Sequence, residues 1–416
     1  MLSDFVAGID IGTSRIRAVI GEITDDGTFQ ITGVGTNPST GLRKGVVVNL
    51  EDTVRAISQA VETAEMMSGV EIQRCTVGIG GTHIESLNSR GSVALPQKKE
   101  NYEIQHEDIA RVIDVARAYK FPLDRQVIHV IPQSYIVDGE KGIRDPRNRI
   151  GVRLEAEVHI VTGSVTPVQT ILKCVNRAGL YVDEYMLNSL AEVKSVMTKD
   201  EQELGSLLID LGAGTTDIVY LADGAPQLTS VLPVGGDHVT NDISIVKGLS
   251  VEMSEKIKCE AGYCWAPLIE ENETVIIPGL GGRPPVRIPQ SEICAVIQPR
   301  MAEIFSMVKE KISAVADTRT LSGNIVITGG GANMAGIVDL ACAVFETQNV
   351  RVGIPGTFSG LAGDLGEYRS PEYAAVIGLV LNAYEKFSAS RTDSFSKDSP
   401  QNSVFTAVKN WFKELF

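Results

Sequence analysis

The sequence predicts an α/β protein of two related domains, from two matching strand, turn, strand motifs, a third glycine-rich motif and a length of 416 residues. One hydrophobic core rarely serves so long a chain, so two domains are expected. Leu207 to Leu221, LLIDLGAGTTDIVYL, is an apolar run interrupted by Asp210, a turn through Gly212, Ala213 and Gly214, and a returning apolar run. Phe5 to Glu22, FVAGIDIGTSRIRAVIGE, repeats the plan, with Asp10, Gly12, Thr13 and Ser14 read as counterparts of Asp210, Gly212, Thr215 and Thr216. Glycines let such turns bring backbone N–H groups close to an anion, and the hydroxyls add donors. The paired carboxylates suit a hydrated Mg²⁺. Two such hairpins, one opening each half of the chain, are placed to close on a nucleotide phosphate from opposite sides. The third motif, Asn324 to Ile337, runs a strand into Gly329, Gly330 and Gly331, where a flat ring or a ribose can lie against the backbone.

Composition narrows the class. The chain is 43% hydrophobic, and 52 acidic against 38 basic residues give a net charge of −14, with no basic cluster; nucleic acid is therefore not an expected partner. Six cysteines without a CxxC pair read as small core hydrophobes in a reducing compartment. The N-terminus enters a strand directly, which argues against a signal peptide, and no run approaches the ~18 apolar residues of a membrane span. A cytoplasmic protein is expected.

In chain order, Phe29 to Thr36 and Gly45 to Val48 read as strands, and Leu50 to Met67 as a helix with Val54, Ile57, Val61 and Ala64 on one stripe. Between His83 and Thr162 the strands Ser86 to Ala94, Arg125 to Val137 and Arg153 to Val161, with a helix over Glu107 to Ala118, suggest an inserted α+β unit. His129 and His159 lie in apolar strands and read as core histidines. Gly235 and Gly236 precede a helix whose N-terminus is suited to an anion. Pro289 to Ala314 is a long helix with Arg300 and Glu303 outside. Phe387 to Gln401 is serine-rich and charged and reads as a flexible linker. After it, Val404, Phe405, Val408, Trp411, Phe412, Leu415 and Phe416 fall on one face of a terminal amphipathic helix, which suits an interfacial position on a membrane, with a protein groove as the rival.

The order and spacing of the three motifs resemble phosphate 1, phosphate 2 and the adenosine motif of the actin and heat-shock chaperone ATPase superfamily. Within it the chain most resembles the FtsA family of bacterial division proteins, through the stretches IGGTHIESLNSRG, VIHVIPQ and EAEVHIVTG of the insert, the loop GGRPP, and the tail. The resemblance implies an actin-like (ribonuclease H-like) ATPase fold with an FtsA-type inserted subdomain. It divides the chain into subdomain 1A (1–82 and 163–198), insert 1C (83–162), 2A (199–226 and 315–386), 2B (227–314), a linker (387–401) and a membrane-targeting helix (402–416).

It also implies ATP and Mg²⁺ as ligands. Asp10 and Asp210 would hold the metal through water. Gly12, Thr13, Ser14, Arg17, Gly214, Thr215, Thr216 and Gly235 would face the phosphates, and Glu255, Lys258, Gly330 and Gly331 the adenosine. Asn188 falls where relatives position the attacking water; an amide orients water without accepting its proton, so hydrolysis is expected to be slow or absent. Glu192, one turn on, is expected to lie too far away to substitute. Arg300 and Glu303 would receive the FtsZ C-terminal peptide. The implied function is membrane anchoring of FtsZ, self-association into filaments and recruitment of later division proteins at the inner membrane. An FtsA-like pilus-assembly adaptor and a sugar-kinase-type phosphotransferase are the alternatives.

Overall fold

The computed structural model describes residues 4–24, 28–96, 102–277, 284–356 and 366–394. Each half carries a five-stranded sheet of the same plan. The first runs Tyr181–Leu187, Arg74–Ile79, Asp4–Ile11, Arg15–Ile23, Phe29–Pro38; the second runs Val350–Val352, Ile325–Thr328, Ser206–Leu211, Thr216–Ala222, Ala225–Leu232. In both, a three-strand antiparallel meander is extended on its first strand by two parallel strands. Such strands are covered on both faces and read as near-continuous apolar runs, which is why Ile9, Val77, Leu208, Ile209 and Ile327 are fully buried.

Register corrects one sequence reading. Asp10 pairs with Arg17 and Ile11 with Ile16, while Asp210 pairs with Asp217 and Leu211 with Thr216. The two hairpins are thus of equal length, so Thr13 and Ser14 correspond to Ala213 and Gly214, not to Thr215 and Thr216.

Helix Leu50–Ser68 starts where the Asn49 side chain accepts from Asp52 N–H and stops at Gly69, which is left-handed at φ 72. Its buried stripe includes Ile57, Val61 and Ala64, as the periodicity requires. Together with Val165–Arg177 and Asn188–Val196 it closes the first core; Gly236–Lys247, Gln290–Ile312 and Ile337–Phe345 close the second.

The insert is a four-stranded sheet in the order Ile84–Ala94, Arg153–Ser164, Arg125–Val137, Glu140–Ile143, covered by helix His106–Arg117 over its own core. Its edge strand meets the edge of the second sheet. Ser86 Oγ donates to Thr229 O at 2.7 Å and Asn88 Nδ2 to Gln227 O at 3.0 Å. His159 sits in this seam, 1% exposed. Its Nδ1 donates to Asn88 Oδ1 at 2.6 Å and its Nε2 lies 3.0 Å from Thr229 Oγ1, so one neutral tautomer satisfies both nitrogens. His129 Nε2 accepts Leu187 N–H at 2.9 Å. Burial holds both rings down at about 4, so both are neutral; His159 is a core group, while His129 is half-buried.

Because a folded-state histidine pKa below the unfolded value means the unfolded chain binds more protons, each ring costs stability as pH falls from about 6.5 toward 4. The cost is roughly 1.4 kcal/mol for each tenfold difference in proton affinity between the folded and unfolded chain. In urea unfolding between pH 7.5 and 4.5, H159Q is expected to lose less stability on acidification than wild type; equal slopes would place the acid sensitivity elsewhere.

The last helix runs from Ala374 to Ser394, so the first part of the expected linker is helical. The reason is tertiary: Tyr384 stacks on Phe29 at 4.9 Å, and Phe387 packs on the same cluster. The terminal amphipathic stretch 402–416 and most of the GGRPP loop lie outside the described residues. Among those described, no helix is long and apolar enough to cross a membrane.

Candidate nucleotide site

The two hairpins face each other across a cleft of about 550 Å³. They meet at their tips: a Cβ on Gly214 would stand 2.9 Å from Thr13 Oγ1 and 3.0 Å from Lys44 Cα, so any side chain here would force the two tips to shift apart. Thr13 Oγ1 accepts Gly45 N–H at 3.0 Å. Asp10, Gly12, Thr13, Ser14, Arg17, Asn188, Asp210, Gly214, Thr215, Gly235, Glu255, Lys258, Gly330 and Gly331 all line the cleft.

Thr216 does not line it. Side chains alternate along a strand, so Thr215 and Asp217 face the cleft while Thr216, fully buried, donates to Val234 O at 2.8 Å on the other side. The helix after Gly235 is also arranged differently from expectation. Gly236 N–H and Asp237 N–H donate to the carbonyls of Gly212 and Ala213, each at 2.9 Å, and Gly235 N–H to His238 Nδ1 at 3.2 Å. The first two of these donors hold the second hairpin in place, and none of the three is free for an anion.

One end of the cleft is acidic. Asp10 accepts from Asn188 Nδ2 at 2.9 Å. Asp210, Asp217 and Glu192 gather beside it, and Glu192 Oε2, Asp217 Oδ1 and Asn188 Oδ1 have no hydrogen-bond partner among the described residues. Burial raises the pKa of Asp10, with Arg17 and Asn188 opposing. Burial, then the neighbouring aspartates, holds Glu192 and Asp210 well above the usual carboxylate range, and burial brings Asp217 to about 6. Glu192 is therefore not remote: four residues beyond Asn188 it shares the same helix face and meets Asp210. Crowded, under-bonded carboxylates fit a hydrated divalent cation, which prefers one or two carboxylates through water. Among the described residues no cluster has the geometry of direct multidentate metal ligation.

The opposite end is apolar and glycine-lined, with Gly262, Met301, Ile304 and Met334 beside Gly330 and Gly331. Lys258 Nζ pairs with Glu255 at 2.6 Å and donates to Thr240 Oγ1 at 2.9 Å and Gly236 O at 3.2 Å. Cys259, exposed beside this pair, departs from the expectation that the cysteines are core residues; Cys75, Cys174, Cys264 and Cys294 meet it. Sequence reasoning missed Asp217 and Glu372, and set Glu192 aside as too distant. Asp217 was findable from the constant offset between the hairpins.

Two repeated sheets, each contributing a turn to one shared cleft, with an α+β unit inserted in the first half, define an actin-like protein of the ATPase fold. Residues 81–162 match the SHS2 domain inserted in FtsA, and residues 207–378 match the family described as Cell division protein FtsA. The chain belongs to the FtsA family. It is 40% identical over 416 residues to the Cell division protein FtsA of Pseudomonas aeruginosa, covering 99% of this chain and 98% of that one. It is 41% identical to that of Borreliella burgdorferi over the whole of both chains, and 34% identical to that of Escherichia coli over 99% and 96%.

Among solved structures the fold resembles a PilM-PilN type IV pilus biogenesis complex, with a TM-score of 0.66 at 16% identity over 91% of this chain and 98% of that one. It also resembles MreB 5 of Spiroplasma citri bound to AMPPNP, with a TM-score of 0.55 at 13% identity over 95% and 99%. The pilus likeness is one of fold; the family is set by the full-length relatives.

Proposed function

We propose that this chain is an ATP-binding membrane anchor of the bacterial division ring, tethering FtsZ filaments to the cytoplasmic face of the inner membrane, self-associating into filaments and recruiting later division proteins. The observation that carries the reading is the cleft itself: two equivalent turns opposed across one cavity, acidic at one end and apolar with bare glycine backbone at the other. Asp10 and Asp210 hold Mg²⁺ through water. Gly12, Thr13, Ser14, Gly214 and Thr215 surround the phosphates, and Gly330, Gly331, Glu255 and Lys258 the adenosine. When bound, the metal supplies positive charge that offsets both the carboxylates and the phosphates. Asn188, fixed by Asp10, orients water without taking its proton.

FtsZ is received on the second half. Between helices Gly236–Lys247 and Gln290–Ile312 lies a groove of about 710 Å³ lined by Ile245, Val246, Val296, Lys247 and Arg300. Ile245 is 78% exposed and Val246 61%, an apolar surface beside Arg300 and Lys247, the latter paired with Glu292 at 2.7 Å; the two cations suit an acidic and apolar peptide that takes the place of their acidic partners. Arg300 already pairs with Asp242 at 2.6 Å and with Glu303, so a peptide carboxylate must share or displace these partners. Fluorescence anisotropy with a labelled FtsZ C-terminal peptide is expected to show R300E binding at least ~10-fold more weakly than wild type, from replacing attraction by repulsion. Equal affinities would move the FtsZ site off this groove.

The tail gives the membrane contact. One amphipathic helix binds an interface weakly, but a filament presenting many gains avidity, so nucleotide-dependent assembly controls membrane residence.

A further inference from the structure

Arg17 and Glu372 are 355 residues apart in sequence and form an ion pair inside the cleft. Arg17 stands directly across its hairpin from Asp10 and is 8% exposed. Its guanidinium is held on three sides: Nη2 by Glu372, one face by the Tyr373 ring at 5.0 Å, and the hairpin behind. Its Nε has no hydrogen-bond partner among the described residues. A buried guanidinium with an unfilled donor is short of an acceptor, and among the described residues Glu372 is the carboxylate paired with it.

The backbone that carries Glu372 is anchored. It lies in the turn Pro371–Tyr373, where Pro371 O accepts from Thr328 Oγ1 and from Gly329 N–H, both at 3.2 Å. The turn is thereby fastened to the glycine loop on the adenosine side, and Ala374 O accepts Ser195 Oγ at 2.7 Å on the other. A carboxylate carried on an anchored turn thus faces a buried guanidinium at the phosphate end of the cleft, which already holds Asp10, Asp210, Asp217 and Glu192.

We propose that Glu372 is an internal competitor for the nucleotide's phosphates: it occupies Arg17 before nucleotide binds, and so limits how tightly the polyphosphate is held. A phosphate oxygen approaching Arg17 must take donors from Glu372 or share them, and in either case meets its negative charge at short range. The restraint grows with phosphate charge, so Glu372 acts on ATP more than on ADP and hardly on adenosine. This inference rests on the nucleotide reading of the cleft.

The test is equilibrium binding of ATP, ADP and adenosine, in Mg²⁺, to the full chain as wild type, E372Q, R17A and the double variant, with thermal melting to verify folding. E372Q keeps the side-chain volume and removes the charge. It is expected to bind ATP about 10-fold tighter, ADP with a smaller gain, and adenosine unchanged, and the gain should vanish when Arg17 is also removed. Folded E372Q that binds ATP no tighter than wild type overturns the proposal, as does a gain that survives in the double variant or is as large for adenosine. If wild type binds no ATP at all, the nucleotide reading fails first, and the inference with it.

Discussion

G329A is expected to bind ATP at least ~10-fold more weakly than wild type. Gly329 has φ 79 and ψ 173, a conformation essentially confined to glycine, which costs any other residue on the order of 1–3 kcal/mol. A Cβ there would also stand 1.9 Å from Asp210 Oδ1 and 2.9 Å from Leu211 O. No rotamer relieves that overlap, because Leu211 offers backbone and Asp210 is enclosed by other carboxylates. The alanine must therefore push the Asp210 carboxylate out of its place or shift the glycine loop, and both damage the cleft. Gly330 is the control: space around its Cβ position is open and its φ is not positive, so G330A should melt like wild type. Equilibrium ATP binding with melting curves decides the matter. Wild-type affinity in G329A would show that Asp210 has no part in holding the nucleotide.

A chain ending at Gln401 is expected to lose co-sedimentation with phospholipid vesicles, falling to the level of a no-lipid control, while the full chain pellets, and pellets more with ATP. The spacing of Val404, Phe405, Val408, Trp411, Phe412, Leu415 and Phe416, which lie outside the described residues, would put seven apolar side chains on one face of a helix. Full burial of each is worth roughly 1.5–3 kcal/mol, so even shallow insertion leaves a margin over the cost of ordering the helix. Lys409 and Lys413 are partly offset by Glu414, so anionic lipid should matter less than apolar burial. If both chains stay in the supernatant, the tail docks on protein and the anchoring mechanism falls. Loss of pelleting without loss of ATP binding would separate the anchor from the cleft.

Much of the architecture is legible in the sequence because it is written in local patterns. Period-two and continuous apolar runs mark the strands, and Arg125 to Val137 is legible to both its ends. An apolar stripe marks the helix that starts at Leu50, and a change of character marks the insert. The long helix expected over Pro289 to Ala314 runs from Gln290 to Ile312 and carries Pro299 inside it, with Ile293, Ile297, Ile304 and Val308 buried as the spacing requires. Where reading fails, a distant contact is responsible. Phe387 to Ser394 has a linker's composition but is helical, because the helix it continues is held on Phe29 and on the ion pair of Lys194 with Glu385 at 2.5 Å. Thr216 matches Thr215 in chemistry, yet strand alternation turns it away from the cleft.

By itself the sequence determined the duplicated hairpins, the carboxylates Asp10 and Asp210 at their necks, the glycine loop and the inserted unit, since turn chemistry and hydrophobic periodicity act over a few residues. Only the tertiary structure decided what the cleft contains besides these. Docking the two sheets brought Glu192 and Asp217 into one acidic group, spent the N–H groups after Gly235 on the carbonyls of Gly212 and Ala213, and set Glu372 against Arg17. Charges hundreds of residues apart meet because rigid sheets and helices carry them there, and no local pattern in the chain records which pairs will meet.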